Sequence, residues 1–485
     1  MRKISIISCV ALMGIMIGSA LQVSAEEWTI YGPRAESMGG AGVAMGDGAT
    51  AHYWNPGATT KNDQFGLYIP FGGTVSAEGD IMKSVDKLYN AGKGINWPVV
   101  LSATNGGAIL TTTQAEQVLN FFSIATSELS KPGQGMLVSS VGGISFAVGQ
   151  LTVFGNGFIN SAIDPVGDDG HLTMASSIAN FVGTASSACT NTALAATIAG
   201  KPWWSSGTLT QAQQFVYLAE HGGANTSDPA VQQSIILAAQ ATAAGLVGGS
   251  SISNNKSGVV ISGIIFNEVG ASYSQQLFLD GLSVGANLKM MEGTTYYNYI
   301  GYKALKSSKE TQKDIDKKEY TKQSMSLGID VGALYVVNDQ FRTGLTIRNV
   351  NTPKFAYAGP GDVKLYPQIR AGVAVDVLPG LLVAAADYDL TKNKSDLLDG
   401  YESQMFGLGA EVNLIGVLRL RAGTSQNLAS KVSSSVYTYG VGINLLLLNI
   451  DVGGSFAKKM VETKMAGGGQ MPERTTLTVA VSLRF

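Results

Sequence analysis

Charged residues and long apolar runs are both scarce in this sequence of 485 residues. Asp, Glu, Lys and Arg make up 14% of the chain, against roughly 25% in a typical soluble protein. Beyond the N-terminal segment, no stretch has the ~20 consecutive apolar residues that a membrane-spanning helix needs. Glycine, in contrast, is abundant at 60 residues. If the chain lies in a membrane, it must be there as a closed β-barrel, whose strands are apolar on one side only.

Cysteine and histidine are nearly absent as well. The two cysteines are Cys9 and Cys189, and the three histidines include no close pair, so the sequence predicts neither a disulfide framework nor a metal site. The glycine-rich stretch 39–48 lacks the Lys-Ser/Thr ending of a phosphate-binding loop. No nucleophile motif such as Gly-x-Ser-x-Gly stands between a strand and a helix, and the net charge of −2 gives no reason to expect nucleic acid. We therefore predict a protein that is not an enzyme and has no cofactor.

The N-terminus has the pattern of a secretory signal peptide. Arg2 and Lys3 precede an apolar core from Ile4 to Leu21, and Val23-Ser24-Ala25 fits the small-x-small cleavage pattern. We predict a signal peptide over residues 1–25, which would leave Cys189 as the single cysteine of the mature chain. An uncleaved helical anchor is the alternative, because the apolar core is slightly long.

Alternation of apolar and polar side chains indicates β-strands throughout the C-terminal half. In the last segment, Leu477, Val479 and Val481 lie on one side of the strand, and Thr478 and Ser482 lie on the other. In a barrel the first set faces lipid and the second faces the lumen. The same analysis predicts fourteen strands near residues 64–72, 136–149, 150–160, 258–274, 281–298, 323–337, 340–350, 367–378, 380–390, 402–413, 416–426, 434–444, 446–457 and 474–485.

The connections between these strands alternate in length. Long links separate short turns, which fall near Gly149-Gln150, Asp280-Gly281, Asn338-Asp339, Pro379-Gly380, Leu414-Ile415 and Leu445. Outer-membrane barrels have short periplasmic turns and long outer loops, whereas a soluble β-sandwich has no reason to keep this alternation. The sequence therefore predicts an outer-membrane β-barrel of about fourteen antiparallel strands over residues 64–485, with both termini in the periplasm.

The final strand ends at Phe485. A last strand that ends in Phe resembles the signal by which outer-membrane barrels are recognised by their assembly machinery. The predicted partners are therefore outer-membrane lipid and this machinery, with no nucleic acid.

Two of the long links, residues 73–135 and 161–257, are long enough to contain structure of their own. Residues 111–130 are a predicted helix with Thr112 or Thr113 as N-cap. Two Ala-rich helices are predicted in the second link, over residues 210–220 and 228–246. Such helices either pack as a stabilising cap over the barrel mouth, or form a lid that gates access or presents a partner surface.

Two other features of the links stay open at this point. Trp203 and Trp204 belong either to the cap or to the membrane interface. Residues 303–322 are rich in charge and are predicted to form a solvated outer loop, with lipopolysaccharide contact as the alternative.

Residues 31–60 contain a motif of small residues. Arg34 is followed by Met38-Gly39-Gly40-Ala41, and Ala51 is followed by Asn55-Pro56. This segment resembles the start of mature proteins in the long-chain fatty-acid transporter superfamily of outer-membrane barrels, where R-x-x-x-M-G-G-A precedes A-x-x-x-N-P-A. Gly57 stands where that pattern has Ala.

A later stretch, residues 366–426, resembles one branch of that superfamily more closely. Pro367 to Gly372, Ala386 to Thr391 and Leu420 to Gly423 are similar to the TraF-type plasmid-transfer outer-membrane family. The resemblance implies a fourteen-stranded barrel whose N-terminal segment, residues 26–63, folds back into the lumen as a hatch. A glycine-rich segment can approach a barrel wall closely.

The candidate ligand-binding residues lie in this hatch and on the lumen face of the strands. The hatch candidates are Met38, Gly39, Gly40, His52, Tyr53, Trp54, Asn55 and Pro56. The lumen candidates are four arginines suited to a ligand carboxylate, namely Arg342, Arg370, Arg419 and Arg421. The alternative is a structural role, in which Trp54 fills space and Asn55-Pro56 forms an ordinary turn. Asp387 and Asp389 share one inward face, and we expect them to pair with lumen arginines.

Two functions fit these features. The first is a passive channel for small hydrophobic molecules, in which displacement of the hatch opens the bore. The second is a non-transporting barrel that serves a secretion or conjugative-transfer apparatus, with helical loops or periplasmic turns as the docking surface for transfer or secretion proteins.

Overall fold

The computed structural model describes residues 21–24, 26–46, 48–61, 65–96, 98–100, 110–129, 131–168, 178–244, 256–301, 320–430, 432–463 and 469–484. Most of the predicted signal peptide, nearly all of the charged loop 303–322 and the terminal Phe485 lie outside these residues. Among the helices in these ranges, none is both long enough and apolar enough to span a bilayer.

Fourteen antiparallel strands form a closed barrel in which each strand pairs with its neighbours in sequence. The ring closes where β14 pairs with β1, from Gly66 opposite Arg484 to Ser76 opposite Arg474. The predicted fold is therefore confirmed, with every predicted strand present. The strands are β1 Gly66–Glu78, β2 Gly135–Val148, β3 Leu151–Val166, β4 Gly258–Gln276, β5 Leu282–Gly301, β6 Thr321–Val336, β7 Phe341–Arg348, β8 Gln368–Leu378, β9 Leu382–Asp389, β10 Met405–Leu414, β11 Leu418–Asn427, β12 Val436–Leu445, β13 Leu448–Ala457 and β14 Arg474–Arg484.

The two faces of the wall follow the alternation in the sequence. On β14, Leu477 is 63% exposed on the outer face, whereas Thr478 is 2% exposed on the lumen face. The outer face carries exposed apolar side chains on most strands, including Phe71, Val153, Leu288, Leu327 and Val452. This outer belt is the surface that a barrel presents to lipid.

One end of the barrel carries only short connections, and the other carries the long links. We call them the short-turn end and the long-loop end. Gly149 and Gly380 supply the left-handed backbone (φ 56° and 76°) that two of the short turns require. Two other turns place Ile415 (φ 55°) and Leu446 (φ 59°) in this region, which strains an L side chain. Both side chains project freely and are 97% and 95% exposed.

The helices of the long links form a cap with its own core. The helices are α3 Ile81–Gly92, α4 Thr112–Ile124, α5 Ile178–Val182, α6 Thr192–Ala199, α7 Leu209–His221 and α8 Pro229–Ala244. Trp204 is 1% exposed and packs against Phe215 and other buried apolar residues. Both helical links were predicted, and Trp204 belongs to the cap rather than to a membrane interface.

The helix starts differ slightly from the prediction. Thr111, rather than Thr112 or Thr113, is the N-cap of α4, because its hydroxyl accepts from Gln114 N while the Gln114 side chain accepts from Thr111 N. This reciprocal pair is a capping box. α7 begins with the same arrangement of Thr208 and Gln211.

Two further links fold inward at the long-loop end. A small hairpin, Lys354–Ala356 with Asp362–Lys364, buries Phe355 and Val363. Residues 390–401 bury Leu397 and Leu398. A short strand, Leu21–Ser24, pairs in parallel with Thr391–Lys394. The long-loop half of the lumen is therefore filled by protein.

Candidate functional site

Residues 26–46 and 48–61, which we call the lumen segment, lie inside the barrel. They contain two short helices, α1 Pro33–Ser37 and α2 Ala51–Trp54. At one extreme, Glu27 accepts from Arg474 Nη2 at the long-loop end (2.6 Å). Arg34 donates to Glu411, near the short-turn end (2.8 Å). The segment therefore runs down most of the height of the bore.

Residues 37–57 then cross the bore and bond to strands around its circumference. Gly39 N donates to Thr438 Oγ1 on β12 (3.0 Å). Gly42 N and Val43 N both donate to Asp387 Oδ2 on β9 (2.8 and 2.9 Å). Each bond joins the backbone of the segment to a wall side chain, so the segment is held across the bore through its main chain.

Asn55 connects this layer to the opposite wall. Its Nδ2 donates to Ala333 O on β6 (2.9 Å) and to Val43 O (3.1 Å), and its Oδ1 accepts from Gly57 N (3.0 Å). On the neighbouring strand β5, Ser283 Oγ donates to Gly57 O (2.7 Å). Asn55 thus forms hydrogen bonds with carbonyl groups of two separate regions of the chain, which a residue that only forms a turn does not do.

Glycines on the inner wall make this close approach possible. A Cβ at Gly407 would overlap the carbonyl group of Gly39, and one at Gly409 would lie 2.6 Å from the carbonyl carbon of Met38. Gly423 likewise approaches Gly39 N, at 2.7 Å from where its Cβ would be. The wall therefore has a groove without side chains that fits the Met38-Gly39 backbone.

His52 lies at the centre of the segment in a neutral form set by its partners. Its Nδ1 lies 2.8 Å from Ala49 O, which can only accept, and its Nε2 lies 3.3 Å from Asn156 Nδ2. Asn156 Oδ1 accepts from Tyr31 OH (2.9 Å), which fixes the orientation of the amide. Nδ1 therefore carries the proton, and burial lowers the pKa of His52 to about 4.

An aromatic cluster continues from His52 toward the long-loop end. Tyr53 stacks on Tyr31 (ring centroids 4.6 Å apart) and on Phe158 (5.8 Å). The guanidinium carbon of Arg348 lies 4.4 Å from the centre of the Tyr53 ring, and that of Arg370 lies 4.7 Å from the Trp28 ring. Cation–π contacts of this kind contribute most when the cation is desolvated.

At the long-loop end, the first residues of the segment bind the inward-folded link. Glu26 accepts from Ser395 Oγ and Asp396 N (both 2.8 Å). Burial raises the pKa of Glu26 to about 7. Glu27 accepts from Tyr401 OH (2.5 Å) as well as from Arg474.

The family described as "F plasmid transfer operon, TraF, protein" matches residues 52–389. The chain belongs to this family. The matched range includes Asn55-Pro56, the stretch from Pro367 to Gly372 and the first four residues of the stretch that begins at Ala386, but not the one that begins at Leu420.

Solved structures similar to this TraF-family chain include two toluene transporters. The toluene transporter TbuX of Ralstonia pickettii is 13% identical, with a TM-score of 0.44, and the match covers 95% of this chain and 99% of that one. The toluene transporter TodX of Pseudomonas putida is 11% identical (TM-score 0.43; 96% and 99% covered). A Pseudomonas aeruginosa FadL homologue is 10% identical (TM-score 0.41; 96% and 99% covered). No curated protein matches.

The predicted lumen arginines of this TraF-family barrel fall into two groups. Arg370 Nε donates to Asp389 Oδ1 (2.5 Å), and Arg342 Nη1 donates to Asp376 Oδ2 (2.7 Å) while its Nε donates to Ala44 O (3.0 Å). The expected pairing of Asp389 with a lumen arginine is present, whereas Asp387 binds the lumen segment instead. Arg342 and Arg370 are therefore ion-paired within the wall, and Arg342 also binds the lumen segment.

The other two arginines line a cavity of about 300 Å³ on the short-turn side of the lumen segment. Arg421 donates to Glu411 through Nε and to Asp451 through Nη1, both at 2.6 Å. Arg34 reaches the same Glu411 from the lumen segment. Arg419, two residues before Arg421, also lines the cavity.

The structure gathers most of the predicted residues and adds several that sequence reasoning missed. Met38, Gly39, His52, Tyr53, Trp54 and Asn55 all lie in the buried layer. Trp28, Tyr31 and Arg34 belong to the same site but were not singled out as ligand candidates. Arg34 stands in the quoted motif, and its being the one Lys or Arg in residues 26–60 was the available signal.

Proposed function

We propose that this barrel is a passive channel for small hydrophobic molecules, gated by the lumen segment acting as a hatch. The observation that supports this proposal is the cluster of apolar side chains that fills the lumen near the long-loop end. Barrel interiors are ordinarily polar, yet a buried apolar cluster here extends from the inward-folded links to the lumen segment. Its members include Trp28, Tyr31, Tyr53, Phe158, Phe266, Phe355, Leu397 and Leu398.

The contacts of the lumen segment support local movement rather than release as one body. Most of its bonds to the wall are single hydrogen bonds, each of which contributes a net ~0.5–1.5 kcal/mol. A ligand that binds the open state better shifts the equilibrium by its difference in affinity between the two states. An apolar molecule that displaces part of the aromatic cluster binds where the cluster has moved away, so it has a higher affinity for the open state than for the closed one.

The membrane orientation and assembly of the barrel are part of the same proposal. The signal peptide over residues 1–25 exports the chain, and β14 presents the C-terminal signal to the assembly machinery. The short-turn end then faces the periplasm and the helical cap faces outward, as in outer-membrane barrels generally.

A reversible disulfide between the lumen segment and the wall tests the gate. A Cβ at Gly66 would lie 3.8 Å from the Cβ of Ala49, the separation typical of a disulfide. We expect oxidised Ala49→Cys/Gly66→Cys protein, made in a Cys189→Ser background, to reduce toluene uptake to the rate of cells without the barrel. Reduction should restore uptake, and the single Ala49→Cys variant is the control.

Two results would count against the proposal separately. Equal uptake by oxidised and reduced protein would mean that this region of the segment is not the gate. Uptake no faster than in barrel-free cells, in either state, would mean that the barrel is not a toluene channel.

Family membership favours a second candidate, a non-transporting component of a conjugative-transfer apparatus. The exposed Ile415 and Leu446 tips are available for a partner at the short-turn end. A photo-crosslinking residue at position 446 should then capture envelope-spanning transfer proteins during conjugation. Unchanged conjugation frequency in a strain lacking the barrel would remove this candidate.

A further inference from the structure

The cavity at the short-turn end differs chemically from the aromatic cluster on the other side of the lumen segment. Its wall side carries Arg419, Arg421, Asp451 and Arg484, and Arg34 comes from the segment. Its remaining lining is largely small or apolar and includes Met45 and Trp54. The cavity therefore has one cationic side and one apolar side.

One arginine on its cationic side has no carboxylate partner among the described residues. Glu411 is shared between Arg34 and Arg421, and Asp451 pairs with Arg421. Arg419 has neither a hydrogen bond nor an ion pair within the part of the chain that the structure describes. Arg419 is half-buried beside these ion pairs, where a positive charge without a paired carboxylate is less well solvated than in water.

Arg421 supplies a second, independent sign of a ligand. It is 4% exposed, and its Nη2 is buried without a hydrogen-bond partner among the described residues. Buried donors in native proteins are nearly always satisfied, and an exception calls for an explanation such as a bound group. A guanidinium held by two carboxylates through Nε and Nη1 has a fixed orientation and is well placed to offer its third nitrogen.

We propose that this cavity binds a small amphipathic organic anion, with its carboxylate on Arg419 and Arg421 and its apolar part against Met45 and Trp54. Guanidinium groups bind carboxylates through strong charge-assisted hydrogen bonds. A volume of about 300 Å³ lies at the lower end of the range for small-molecule sites. The ligand class is therefore an aryl or short alkyl carboxylate rather than a long-chain acid.

This inference specifies the chemical class of the cargo, and it rests on the proposed channel function. The cavity lies on the short-turn side of the lumen segment, whereas the aromatic cluster extends toward the long-loop end. A cargo that crosses from the long-loop end meets it last, so among the hydrophobic molecules that reach it the cavity would favour those that also carry an anionic group.

Calorimetric titration of the purified full-length barrel with 4-phenylbutyrate tests the site. We expect 4-phenylbutyrate to bind at least tenfold more tightly than the neutral 4-phenylbutan-1-ol. Arg419→Gln should weaken 4-phenylbutyrate binding about tenfold, and Arg419→Lys should retain most of it. Lys322→Gln removes an exposed charge on β6, away from the cavity, and should change nothing.

Crystals soaked with 4-(4-bromophenyl)butyrate locate the ligand without any variant. An anomalous bromine peak in the cavity, near Met45 and Trp54, is the expected result. A peak elsewhere, equal binding of the acid and the alcohol, or no effect of Arg419→Gln would overturn the site. If the barrel binds 4-phenylbutyrate but does not take up toluene, the proposed hydrocarbon channel is contradicted and the proposed anion site is not.

Discussion

The helical cap and the lumen segment belong to the same barrel, but they are stabilised by opposite means. The cap has an apolar core of its own, with Phe181, Trp204 and Phe215 almost fully buried. The lumen segment has only short helices, and hydrogen bonds from its backbone and side chains to the wall hold it in place. A region with its own core can unfold alone, whereas a region without one can only fold where a partner provides the contacts.

This difference separates the roles of the two regions. A self-contained cap can be rigid or variable without affecting the bore. The lumen segment is bonded to strands all around the ring, so any change in its position alters the wall, and any change in the wall alters it. Replacing tryptophan with 5-fluorotryptophan allows both regions to be followed in one fluorine spectrum, since Trp28 and Trp54 lie in the segment and Trp203 and Trp204 in the cap.

The largest expected effect is that of Trp204→Ala on the cap. Removing a fully buried Trp leaves a cavity, and such truncations cost about 3–5 kcal/mol. We expect the Trp203 resonance to lose its native shift at a lower denaturant concentration, while Trp28 and Trp54 keep theirs. Leu209→Ala, at a 52% exposed position of α7, is the control. Simultaneous loss of both sets of signals would show that the two regions are coupled.

A pH change should affect the lumen segment and not the cap core. His52 is neutral in the closed barrel, and burial lowers its pKa from 6.5 to about 4. Its contribution is thus fully present above pH 6.5 and is lost as the pH falls through 4, with a total on the order of 3 kcal/mol. Protonation at Nε2 would also place an N–H against the amide nitrogen of Asn156.

The measurement is the denaturation midpoint of the Trp54 resonance between pH 7.5 and pH 4. His52→Phe keeps an aromatic ring beside Phe154 and should remove this pH dependence, at the cost of lower stability throughout. His221→Gln, on the exposed end of α7, should leave the Trp54 profile unchanged. A Trp54 midpoint that does not vary over this range would contradict the assignment of His52.

The strands were predictable because each one records its own environment. Lipid on one face and lumen on the other impose a two-residue period on every strand, as in Leu477 to Ser482. The capping box Thr111-x-x-Gln114 is equally visible in the sequence. The predicted N-cap, Thr112 or Thr113, was wrong because the spacing to Gln114 selects Thr111. Local rules therefore gave the wall and most of the cap.

The lumen segment was predictable only as a unit, through its motif. Its individual contacts join residues far apart in the chain, as in Arg34 with Glu411 and Gly42 with Asp387. Arg342 and Arg370 also look like Arg419 in the sequence, since all four candidates share an inward face. Their division into ion-paired and uncompensated arginines depends on which acidic side chains lie across the bore.

The smallest expected effect tests whether the wall groove, rather than hydrogen bonds alone, positions the lumen segment. Gly409→Ala adds one methyl group where the Met38 backbone lies, and crowding of this kind typically costs about 1–3 kcal/mol. The Trp28 and Trp54 resonances should lose their native shifts earlier in denaturant, with no change for Trp203 or Trp204. Gly73→Ala is matched in chemistry, but its new Cβ would have its nearest neighbour at 3.7 Å, so it should be silent. If Gly409→Ala and Gly73→Ala have the same effect, the polar contacts with Thr438, Asp387 and Ala333 position the segment. The wall glycines then do not contribute to its position.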